Sequence, residues 1–298
     1  MDIALTLVVN PGCADELEKI ASTALTALGG QPVDRRILSG GKALDLIVGA
    51  DGGSDAKKRV ASVLAGIDGL DWCLQATEGR RKKMILADMD STMITVECID
   101  ELADFVGAKA AVSKITEAAM RGDLDFEGAL TERVALLEGL GVDALETCYR
   151  ERIKLMPGAR TLVQTMKANG AYAVLVSGGF TFFTDRVAAA IGFDRHRANV
   201  LGVSAGMLTG KVAPPICGAA TKLETLREQA AAQGLDRQAV LAVGDGANDI
   251  PMIEAAGLGV AYHAHPKTRA AASAAVTYGD LTTLLYFQGY SDADFVTG

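Results

Sequence analysis

Four carboxylates follow two apolar runs of the chain. Asp88 and Asp90 come directly after the run MILA, and Asp245 and Asp249 follow the run AVLAV. An acidic pair of this kind is often no more than a solvated loop, whereas short apolar runs predict buried strands. If both strands are central and parallel, their carboxyl ends lie at one edge of the sheet, and the four carboxylates share one crevice.

Carboxylates gathered in one crevice repel each other unless cations compensate them. The pattern therefore predicts a hard divalent cation, most naturally Mg²⁺, because this ion takes oxygen ligands and works with phosphate oxygens. It also calls for a fixed positive side chain, for which Lys222 is the candidate. Lys222 lies in the first turn of a predicted helix, where the helix dipole disfavours a cation, although a solvated lysine is the alternative.

Two neighbouring carboxyl groups can carry out phosphoryl transfer. One attacks phosphorus to form an acyl phosphate, and the other protonates the leaving alcohol and then activates water. Ser177, Gly178 and Gly179 follow a predicted strand at 171–176 and precede a helix, so they can bind an anion, although this sequence is usually a tight turn. The GDGAND segment at 244–249 lacks the third glycine of a dinucleotide-binding motif, and neither a Walker loop nor a GxSxG elbow is present.

Apolar runs alternate with amphipathic helical patterns from residue 84 onward, which is typical of an α/β fold with a doubly wound parallel sheet. Between about residues 97 and 156 this alternation stops, and the sequence has several helical patterns but no predicted strand. Because the insertion follows the first strand, we predict a helical cap at about 97–156 that lies as a lid over the carboxyl edge of the sheet.

The first 80 residues follow a different order, βαββαβ, which predicts a ferredoxin-like unit. Apolar alternation or helical spacing places its elements at about 3–9, 17–28, 33–38, 44–48, 60–67 and 70–74. The strand at 44–48 alternates like one that is buried on one face only. The basic stretch EGRRKK at 78–83 is interpreted as a linker rather than a binding patch, so the domains are predicted at 1–80 and 81–298.

The composition narrows the classes of partner. The chain has 298 residues, of which 49% are hydrophobic and 22% charged, and this predicts globular domains rather than a disordered chain. A net charge of -8 gives no cationic surface, which argues against nucleic acid or an anionic membrane as a partner. No signal peptide or membrane-spanning run is recognisable, so we expect a cytoplasmic protein. Five scattered cysteines without a CxxC pair predict reduced thiols.

The motifs DMDST and GDGAND, with Ser177 and Lys222 between them, resemble the four motifs of the haloacid dehalogenase-like phosphohydrolase superfamily in order and placement. Within this superfamily, most of residues 84–290 resemble the phosphoserine phosphatases. The segments that carry this resemblance are DMDSTMITVECIDELADFVG, DFEGALTERVALLEGL, VSGGF and GDGANDIPM. The amino-terminal unit is similar in topology to the ACT domains that sense amino acids.

The resemblance implies a reaction and the residues that perform it. The reaction is the Mg²⁺-dependent hydrolysis of O-phospho-L-serine to L-serine and phosphate through an aspartyl-phosphate intermediate, which is the last step of serine biosynthesis. The resemblance makes Asp88 the nucleophile and Asp90 the general acid and base. It implies that Ser177, Gly178 and Lys222 hold the phosphoryl group.

The same resemblance implies how the metal ion and the phosphate are bound. The Mg²⁺ ligands are the side chains of Asp88 and Asp245 and the backbone carbonyl of Asp90. Asn248 and Asp249 support the phosphate and the metal ligands.

The resemblance also implies four substrate-binding residues: Glu97 for the ammonium group, Arg133 for the carboxylate, and Met120 and Phe126 for the cap side of the pocket. Helical spacing places Arg133 on the apolar stripe of its helix, so its guanidinium needs a partner. That partner is either the substrate carboxylate or a structural ion pair within the cap. Spacing places Glu97 on a polar helix face, where it would be solvated, and only the resemblance gives it a ligand role.

Other functions stay open from the sequence. The nearest alternative is a related enzyme that acts on phosphohomoserine, phosphothreonine or another small phosphorylated metabolite. A regulatory amino-acid sensor with a decayed phosphatase domain is a second, although Asp90 and the other catalytic positions are all present. The ACT-like unit predicts a homodimer, with L-serine or another amino acid as effector, or with a purely structural role in dimerisation.

Overall fold

A computed structural model describes residues 2–29, 32–49, 55–121 and 123–297 of the chain. Its strands, in chain order, are β1 (Ile3–Val9), β2 (Asp34–Ser39), β3 (Ala43–Val48), β4 (Leu70–Ala76), β5 (Met84–Ala87), β6 (Tyr172–Phe180), β7 (Arg195–Ser204), β8 (Met207–Ala213), β9 (Val240–Gly244), β10 (Leu258–Tyr262) and β11 (Ala274–Val276). The helices within these ranges are α1 (Leu17–Leu28), α2 (Ala56–Leu64), α3 (Cys98–Asp104), α4 (Lys109–Arg121), α5 (Phe126–Ala135), α6 (Asp143–Arg152), α7 (Ala159–Ala168), α8 (Thr181–Ile191), α9 (Ala219–Ala232), α10 (Ile250–Ala255), α11 (Pro266–Ala271) and α12 (Thr283–Phe287). No helix in the described part of the chain is long and apolar enough to cross a lipid bilayer.

The strands from β5 onward form a parallel sheet in the order β11-β10-β9-β5-β6-β7, with β8 antiparallel at the edge, which confirms the predicted doubly wound fold. β5 lies between β9 and β6, and its last residue, Ala87, is paired with Val243 on one side and Leu175 on the other. All residues of β5 and β9 are buried, as expected for central strands that helices cover on both faces.

Alternate residues of β5 contact opposite layers of helices. Met84 and Leu86 belong to the apolar cluster that includes residues of α9 and α10. Ile85 and Ala87 belong to the cluster that includes residues of α7 and α8. Because both faces of this strand are packed, its carboxyl end is held firmly, and the next residue, Asp88, lies at a defined point of the sheet edge.

The residues before β5 follow the predicted order βαββαβ, and their strands form an antiparallel sheet in the order β2-β3-β1-β4. The prediction that β3 is buried on one face only is wrong, since all six of its residues are buried. On the second face, Ala43 belongs to the apolar cluster that contains Leu284 and Phe287 of α12. The carboxyl-terminal part of the chain therefore covers a surface that local alternation predicted to be open.

The basic stretch predicted as a linker is packed into the junction between the two parts of the sheet. Arg80 is 7% exposed, and its Nη2 lies 2.5 Å from Asp45 Oδ2. Lys82 Nζ donates hydrogen bonds to the carbonyl oxygens of Gly79 and Gln238, both at 2.9 Å. Burial lowers the pKa of Lys82. Two cations of this stretch thus stabilise a junction instead of facing solvent.

The two parts of the sheet are joined into eleven strands by an antiparallel pair between Trp72 of β4 and Ala275 of β11. Next to this pair, the buried carboxylate of Asp71 accepts hydrogen bonds from the backbone N–H groups of Thr277 and Gly279, both at 2.7 Å. Burial raises the pKa of Asp71, although these hydrogen bonds favour its charged form. The amino-terminal unit is therefore fastened to the parallel sheet by contacts besides the chain connection.

Four helices, α3 to α6, fill the segment between β5 and α7. Three of them correspond to predicted helical patterns, whereas α4 has no counterpart among the predicted elements. The loop after α5 is tied to the β7–β8 hairpin, because Gly139 N–H donates to the Leu208 carbonyl at 2.9 Å and Leu208 N–H donates to the Leu140 carbonyl at 2.8 Å. These bonds anchor the helical segment to the far edge of the sheet. All five cysteines are free thiols, as predicted.

Candidate active site

Asp88 and Asp245 follow two central strands at the same edge of the sheet. The backbone N–H of Asp88 donates to the Val243 carbonyl at 3.0 Å, which continues the pairing beyond β5. Both carboxyl groups are buried. Carboxylate oxygens of Asp88, Asp245 and Asp249 lie within 4.8 Å of one another. The register of β5 and β9 thus brings together residues that are about 160 positions apart in the chain.

Lys222 lies among these carboxylates with no exposed surface. Its Nζ is 2.8 Å from Asp88 Oδ1 and 2.7 Å from Asp249 Oδ1. Burial opposes the charged form, but the two carboxylates outweigh it and raise the pKa of Lys222. The alternative of a solvated lysine is therefore wrong, and two ion pairs offset the unfavourable position of this cation in the first turn of α9.

The loop after β9 determines the position of Asp249. Asp249 Oδ2 accepts hydrogen bonds from the backbone N–H groups of Asp245 at 3.1 Å and Gly246 at 3.0 Å. A Cβ atom at Gly244 would lie 2.3 Å from Asp249 Cγ, so only glycine fits this position. The GDGAND segment therefore closes on its own last carboxylate, which leaves the other oxygen of that carboxylate for Lys222.

Asp90 is the fourth buried carboxyl group of the site. Its Oδ1 accepts a hydrogen bond from the backbone N–H of Cys98 at 2.8 Å, and its Oδ2 accepts one from Ser177 Oγ at 3.1 Å. Burial raises the pKa of Asp90, against the effect of the hydrogen bonds from Cys98 and Ser177. A raised pKa suits a group that has to hold and deliver a proton. A Cβ atom at Gly179 would lie 2.6 Å from Asp90 Oδ2, so glycine leaves room for this carboxyl group.

Ser177 and Gly178 lie inside β6, which continues to Phe180, so the predicted end of the strand at residue 176 is wrong, and so is the alternative of a tight turn. The register between β6 and β7 shifts within this segment, and Asn199 of β7 donates from Nδ2 to the Gly178 carbonyl at 2.8 Å. This contact holds the segment in an extended conformation. The Ser177 side chain is fully buried beside Asp90.

The site holds more acidic groups than its lysine compensates. Burial, followed by repulsion from Asp249, raises the pKa of Asp88 well above its usual range. Burial and the charge of Asp249 also raise the pKa of Asp245 to about 7. Buried carboxylate oxygens with an excess of negative charge are the donors that a hard divalent cation prefers. The residues of this site therefore fit a bound Mg²⁺ ion.

One pocket connects the acidic groups to the cap. Its lining includes Asp88 at the sheet edge and Glu97, Met120, Phe126 and Arg133 on the cap side. The free volume inside it is about 20 Å³, which is room for about one water molecule. The cap is therefore closed over the site, and a ligand larger than water enters only after the cap has moved.

Glu97 is not part of a solvated helix face. It is the N-terminal capping residue of α3 and has an extended backbone, so helical spacing does not describe its direction. Ser91 Oγ donates a hydrogen bond to Glu97 Oε1 at 2.7 Å. Burial, then repulsion from Asp90 and Asp245, raises the pKa of Glu97 well above its usual range. A cationic group of a ligand would relieve this repulsion.

Arg133 is 2% exposed and lines the same pocket. Among the residues that the structure describes, no carboxylate lies at ion-pair distance from it, so the alternative of a direct ion pair within the cap is wrong. Burial lowers the pKa of Arg133, while Glu97 and Asp100 act in the opposite direction. A buried guanidinium without a direct carboxylate partner is suited to bind the carboxylate of a ligand.

Comparison with known proteins places this chain in a family. Residues 85–254, more than half of the chain, match the family model described as haloacid dehalogenase-like hydrolase. The chain belongs to this family. A curated relative from Polaromonas sp. (strain JS666), named phosphoserine phosphatase, is 48% identical to this hydrolase over 208 residues, which cover 68% of this chain and 88% of the relative.

Two solved structures are also similar to this hydrolase. A haloacid dehalogenase family hydrolase from Salmonella enterica serovar Typhi has a TM-score of 0.82 and 28% identity, and the match covers 96% of this chain and 98% of that protein. A phospho-aspartyl intermediate analogue of a phosphoserine phosphatase has a TM-score of 0.67 and 38% identity, covering 69% of this chain and 98% of its own. The first similarity spans nearly the whole chain, including the amino-terminal unit.

Two hydroxyl groups of this hydrolase extend the site beyond the predicted residues. Thr92 is fully buried and donates from Oγ1 to Asp245 Oδ1 at 2.8 Å. Ser91, the partner of Glu97, has a φ of 55°, which is uncommon for a residue other than glycine. Their position in the DMDST motif, next to the carboxylates, is the sequence signal that could have identified them.

Asn248 also lines the pocket of this hydrolase. Its Oδ1 atom is buried and has no hydrogen-bond partner in the described part of the chain. Unsatisfied buried amide oxygens are uncommon, so this atom is available to a ligand or to water.

Proposed function

We propose that this hydrolase is a phosphoserine phosphatase, which converts O-phospho-L-serine and water into L-serine and phosphate. The observation that carries the proposal is that Asp88, Glu97 and Arg133 line the same pocket. O-phospho-L-serine has three charged groups, and each has a residue here. Asp88 can attack the phosphate group, Glu97 can bind the ammonium group, and Arg133 can bind the carboxylate. The name of the relative that is 48% identical supports the same substrate.

In the first step, a carboxylate oxygen of Asp88 attacks phosphorus, and the bond between phosphorus and the serine oxygen breaks. Asp90, held by Cys98 N–H, gives its proton to the departing oxygen, and the Ser177 hydroxyl is then free to donate to the phosphoryl group. The products are L-serine and an aspartyl phosphate on Asp88. Lys222, at 2.8 Å from the attacking carboxylate, stabilises the negative charge of the phosphoryl oxygens together with Ser177 and the adjacent Gly178.

In the second step, Asp90 acts as a base. Its carboxylate takes a proton from a water molecule, and the oxygen of that water attacks the phosphorus of the aspartyl phosphate. The bond between phosphorus and the Asp88 oxygen breaks, which releases phosphate and restores both carboxyl groups. The cap residues Met120, Phe126 and Arg133 line the same pocket as Asp88, so a closed cap shields the acyl phosphate from bulk water.

We assign the Mg²⁺ site to the side chains of Asp88 and Asp245 and the backbone carbonyl of Asp90, with Asn248 and Asp249 as supporting residues. The closeness of the carboxylate oxygens of Asp88 and Asp245, and the excess of buried acidic groups, support this assignment. Mg²⁺ bound there would neutralise negative charge on the attacking carboxylate and on the phosphoryl group.

Phosphate release from a panel of substrates tests the proposed function. With Mg²⁺, we expect O-phospho-L-serine to have a higher kcat/KM than phosphothreonine, phosphohomoserine or O-phosphoethanolamine. With a chelator in place of Mg²⁺, we expect the activity to be lost. Faster hydrolysis of an ester that lacks a carboxylate would contradict the substrate, and full activity in the chelator would contradict the metal.

Replacing Arg133 with alanine is expected to impair substrate binding more than chemistry. Loss of the charge-assisted contacts to the carboxylate should raise KM for O-phospho-L-serine about 10- to 100-fold, with a much smaller fall in kcat. Steady-state kinetics of Arg133→Ala measure this, with Arg121→Ala, an exposed arginine on α4, as the matched control. An equal loss on O-phosphoethanolamine, which has no carboxylate, would refute the role of Arg133.

We further propose that residues 1–80 form an ACT-like domain, residues 81–298 form the hydrolase domain with its cap at 97–156, and the protein is a cytoplasmic homodimer. The edge strand β2 supports dimerisation, because its Ile37 is 70% exposed and edges of this kind pair with other strands. Sedimentation of the full chain tests the dimer, and a monomer at micromolar concentration would refute it.

L-serine is the effector that we propose for the ACT-like domain. Equilibrium binding of L-serine to the full-length Arg133→Ala variant tests this, because loss of Arg133 should weaken binding of the L-serine carboxylate at the active site. We expect the variant still to bind L-serine through its amino-terminal domain. Loss of all L-serine binding in this variant would leave the amino-terminal domain with a structural role.

A further inference from the structure

Arg133 is held by hydrogen bonds that connect three helices of the cap. Arg133 Nε, on α5, donates to the Ala129 carbonyl of the same helix at 3.1 Å. Arg133 Nη1 donates to Thr116 Oγ1, on α4, at 2.9 Å. Thr116 Oγ1 lies 2.6 Å from Asp100 Oδ1, on α3. Within the described ranges, the guanidinium therefore reaches a carboxylate only through one buried hydroxyl.

The direction of these hydrogen bonds follows from the chemistry of the groups. A guanidinium only donates, and an ionised carboxylate only accepts. Thr116 Oγ1 must therefore accept from Arg133 and donate its single proton to Asp100. The Val112 carbonyl is a competing acceptor for that proton, but its distance of 3.1 Å is longer than the 2.6 Å to Asp100. Thr116 is thus the one residue, among those the structure describes, that makes side-chain hydrogen bonds to both Arg133 and Asp100.

This arrangement leaves part of the guanidinium free for a ligand. In the described part of the chain, Arg133 Nη2 has no hydrogen bond, while Nε and Nη1 are both engaged. A direct ion pair with Asp100 would occupy the fork of the guanidinium that binds a carboxylate bidentately. The intervening hydroxyl keeps the negative charge of Asp100 near Arg133 without placing it in the pocket.

Asp100 also connects to Glu97, which lies at the end of the pocket proposed to bind the ammonium group. Asp100 lies in the first turn of α3, and its backbone N–H donates to the carbonyl of the capping residue Glu97 at 3.1 Å. Asp100 Oδ2 accepts a second hydrogen bond from Ser113 Oγ, so α4 holds this carboxylate at both oxygens. The positions of Arg133 and Glu97 are therefore linked through one short segment of α3.

We propose that Thr116 and Asp100 are positioning residues for substrate specificity, which orient the Arg133 guanidinium toward the carboxylate of an amino-acid phosphate. The inference rests on the proposed function and adds to it two residues that do not line the pocket. Thr116 contacts Arg133 directly, whereas Asp100 acts through Thr116. Their effect is expected on recognition of the carboxylate and not on phosphoryl transfer.

The test uses the full-length enzyme with Mg²⁺ and two substrates, O-phospho-L-serine and O-phosphoethanolamine, which lacks the carboxylate. We expect Thr116→Val to raise KM for O-phospho-L-serine about tenfold, while kcat and the kinetics of O-phosphoethanolamine stay within about twofold. Thr116→Ser keeps the hydroxyl and should restore KM to within about threefold of the parent value. Thr131→Val, at a threonine exposed on α5, is the matched control and should leave both substrates unchanged.

Asp100→Asn keeps an acceptor oxygen but removes the charge, and it provides a second variant if Thr116→Val does not fold. We expect it to raise KM for O-phospho-L-serine about threefold, again without an effect on O-phosphoethanolamine. Equal losses on the two substrates, an unchanged KM, or a serine variant as impaired as the valine variant would overturn the inference.

The outcome for the parent enzyme separates this inference from the proposed function. If the parent shows no preference for O-phospho-L-serine over O-phosphoethanolamine, the proposed function fails, and the positioning role fails with it. If the parent has the preference and Arg133→Ala removes it, while Thr116→Val and Asp100→Asn retain it, only the positioning role fails.

Discussion

Replacing Asp88 with asparagine is expected to reduce phosphate release by at least about 10⁴-fold, because an amide cannot attack phosphorus and the covalent route is closed. The fold should survive, since the amide has nearly the shape of the carboxyl group. Its oxygen can still accept a hydrogen bond from Lys222, whose Nζ lies 2.8 Å from Asp88 Oδ1 in the parent protein. Single-turnover and steady-state assays measure the loss, and thermal unfolding reports the fold. Asp15→Asn, at an exposed aspartate, is the matched control and should retain full activity.

The covalent intermediate can be located independently of the variant. Rapid quenching of the parent enzyme with substrate, followed by borohydride reduction, converts an aspartyl phosphate into homoserine, which peptide mass spectrometry detects. We expect the modification on the peptide that contains Asp88, and none in Asp88→Asn. Modification of another residue, or substantial turnover by Asp88→Asn without deamidation back to aspartate, would refute the assignment of the nucleophile.

Replacing Lys222 with methionine is expected to have the largest effect on stability. The ammonium group is the cation between Asp88 and Asp249, and its removal leaves two buried carboxylates without compensation. The free energy of unfolding should fall by about 3–5 kcal/mol, together with the loss of activity. Urea denaturation in a chelating buffer measures this, because added Mg²⁺ would compensate part of the lost charge. Arg227→Met, at an exposed cation of α9, is the matched control and should cost less than about 0.5 kcal/mol.

The pH dependence of that loss has a definite sign. Burial and the charge of Asp249 hold the pKa of Asp88 well above its unfolded value, and removal of Lys222 raises it further. The folded variant therefore binds protons more readily than its unfolded chain, so its stability increases as the pH falls. The deficit against the parent should be largest above about pH 7 and should shrink toward about pH 5. A stability deficit that does not change with pH would contradict the electrostatic cause. In the Lys222→Met background, Asp249→Asn should recover part of the lost free energy of unfolding, because it removes one of the two uncompensated carboxylates.

Much of the acidic centre could be predicted because neighbouring residues in the sequence determine where its side chains lie. An apolar run followed at once by two aspartates specifies a buried strand and a pair of carboxylates at its end, as found for Asp88 and Asp90. The parallel strands required by the alternating pattern then bring Asp245 and Asp249 to the same edge. Lys222 could be singled out because its charge opposes the dipole of its own helix, which is also a local property.

Local patterns were misleading where a neighbouring element determines the backbone. Helical spacing assigned Glu97 to a polar face, but the residue precedes the first turn of α3 and turns into the pocket. The apolar run predicts that the strand ends before Ser177, yet Asn199 of the adjacent strand holds the SGG segment in an extended conformation. The alternation in β3 predicts one solvent-exposed face, but α12, near the end of the chain, packs against that face.

The sequence by itself therefore determined the order of the elements, the doubly wound sheet, and the identity of most groups that can do chemistry, because hydrophobic periodicity and residue type act over a few neighbouring positions. Only the tertiary structure decided which groups share a proton or a charge. Three features join residues of different elements. They are the contact of Lys222 with Asp249, the pocket of about 20 Å³ between the cap and the sheet edge, and the link from Arg133 through Thr116 to Asp100. A hydrogen bond forms only within a narrow range of donor–acceptor distances. For these contacts that distance is set by the packing of separate elements, so no single segment of the chain determines it.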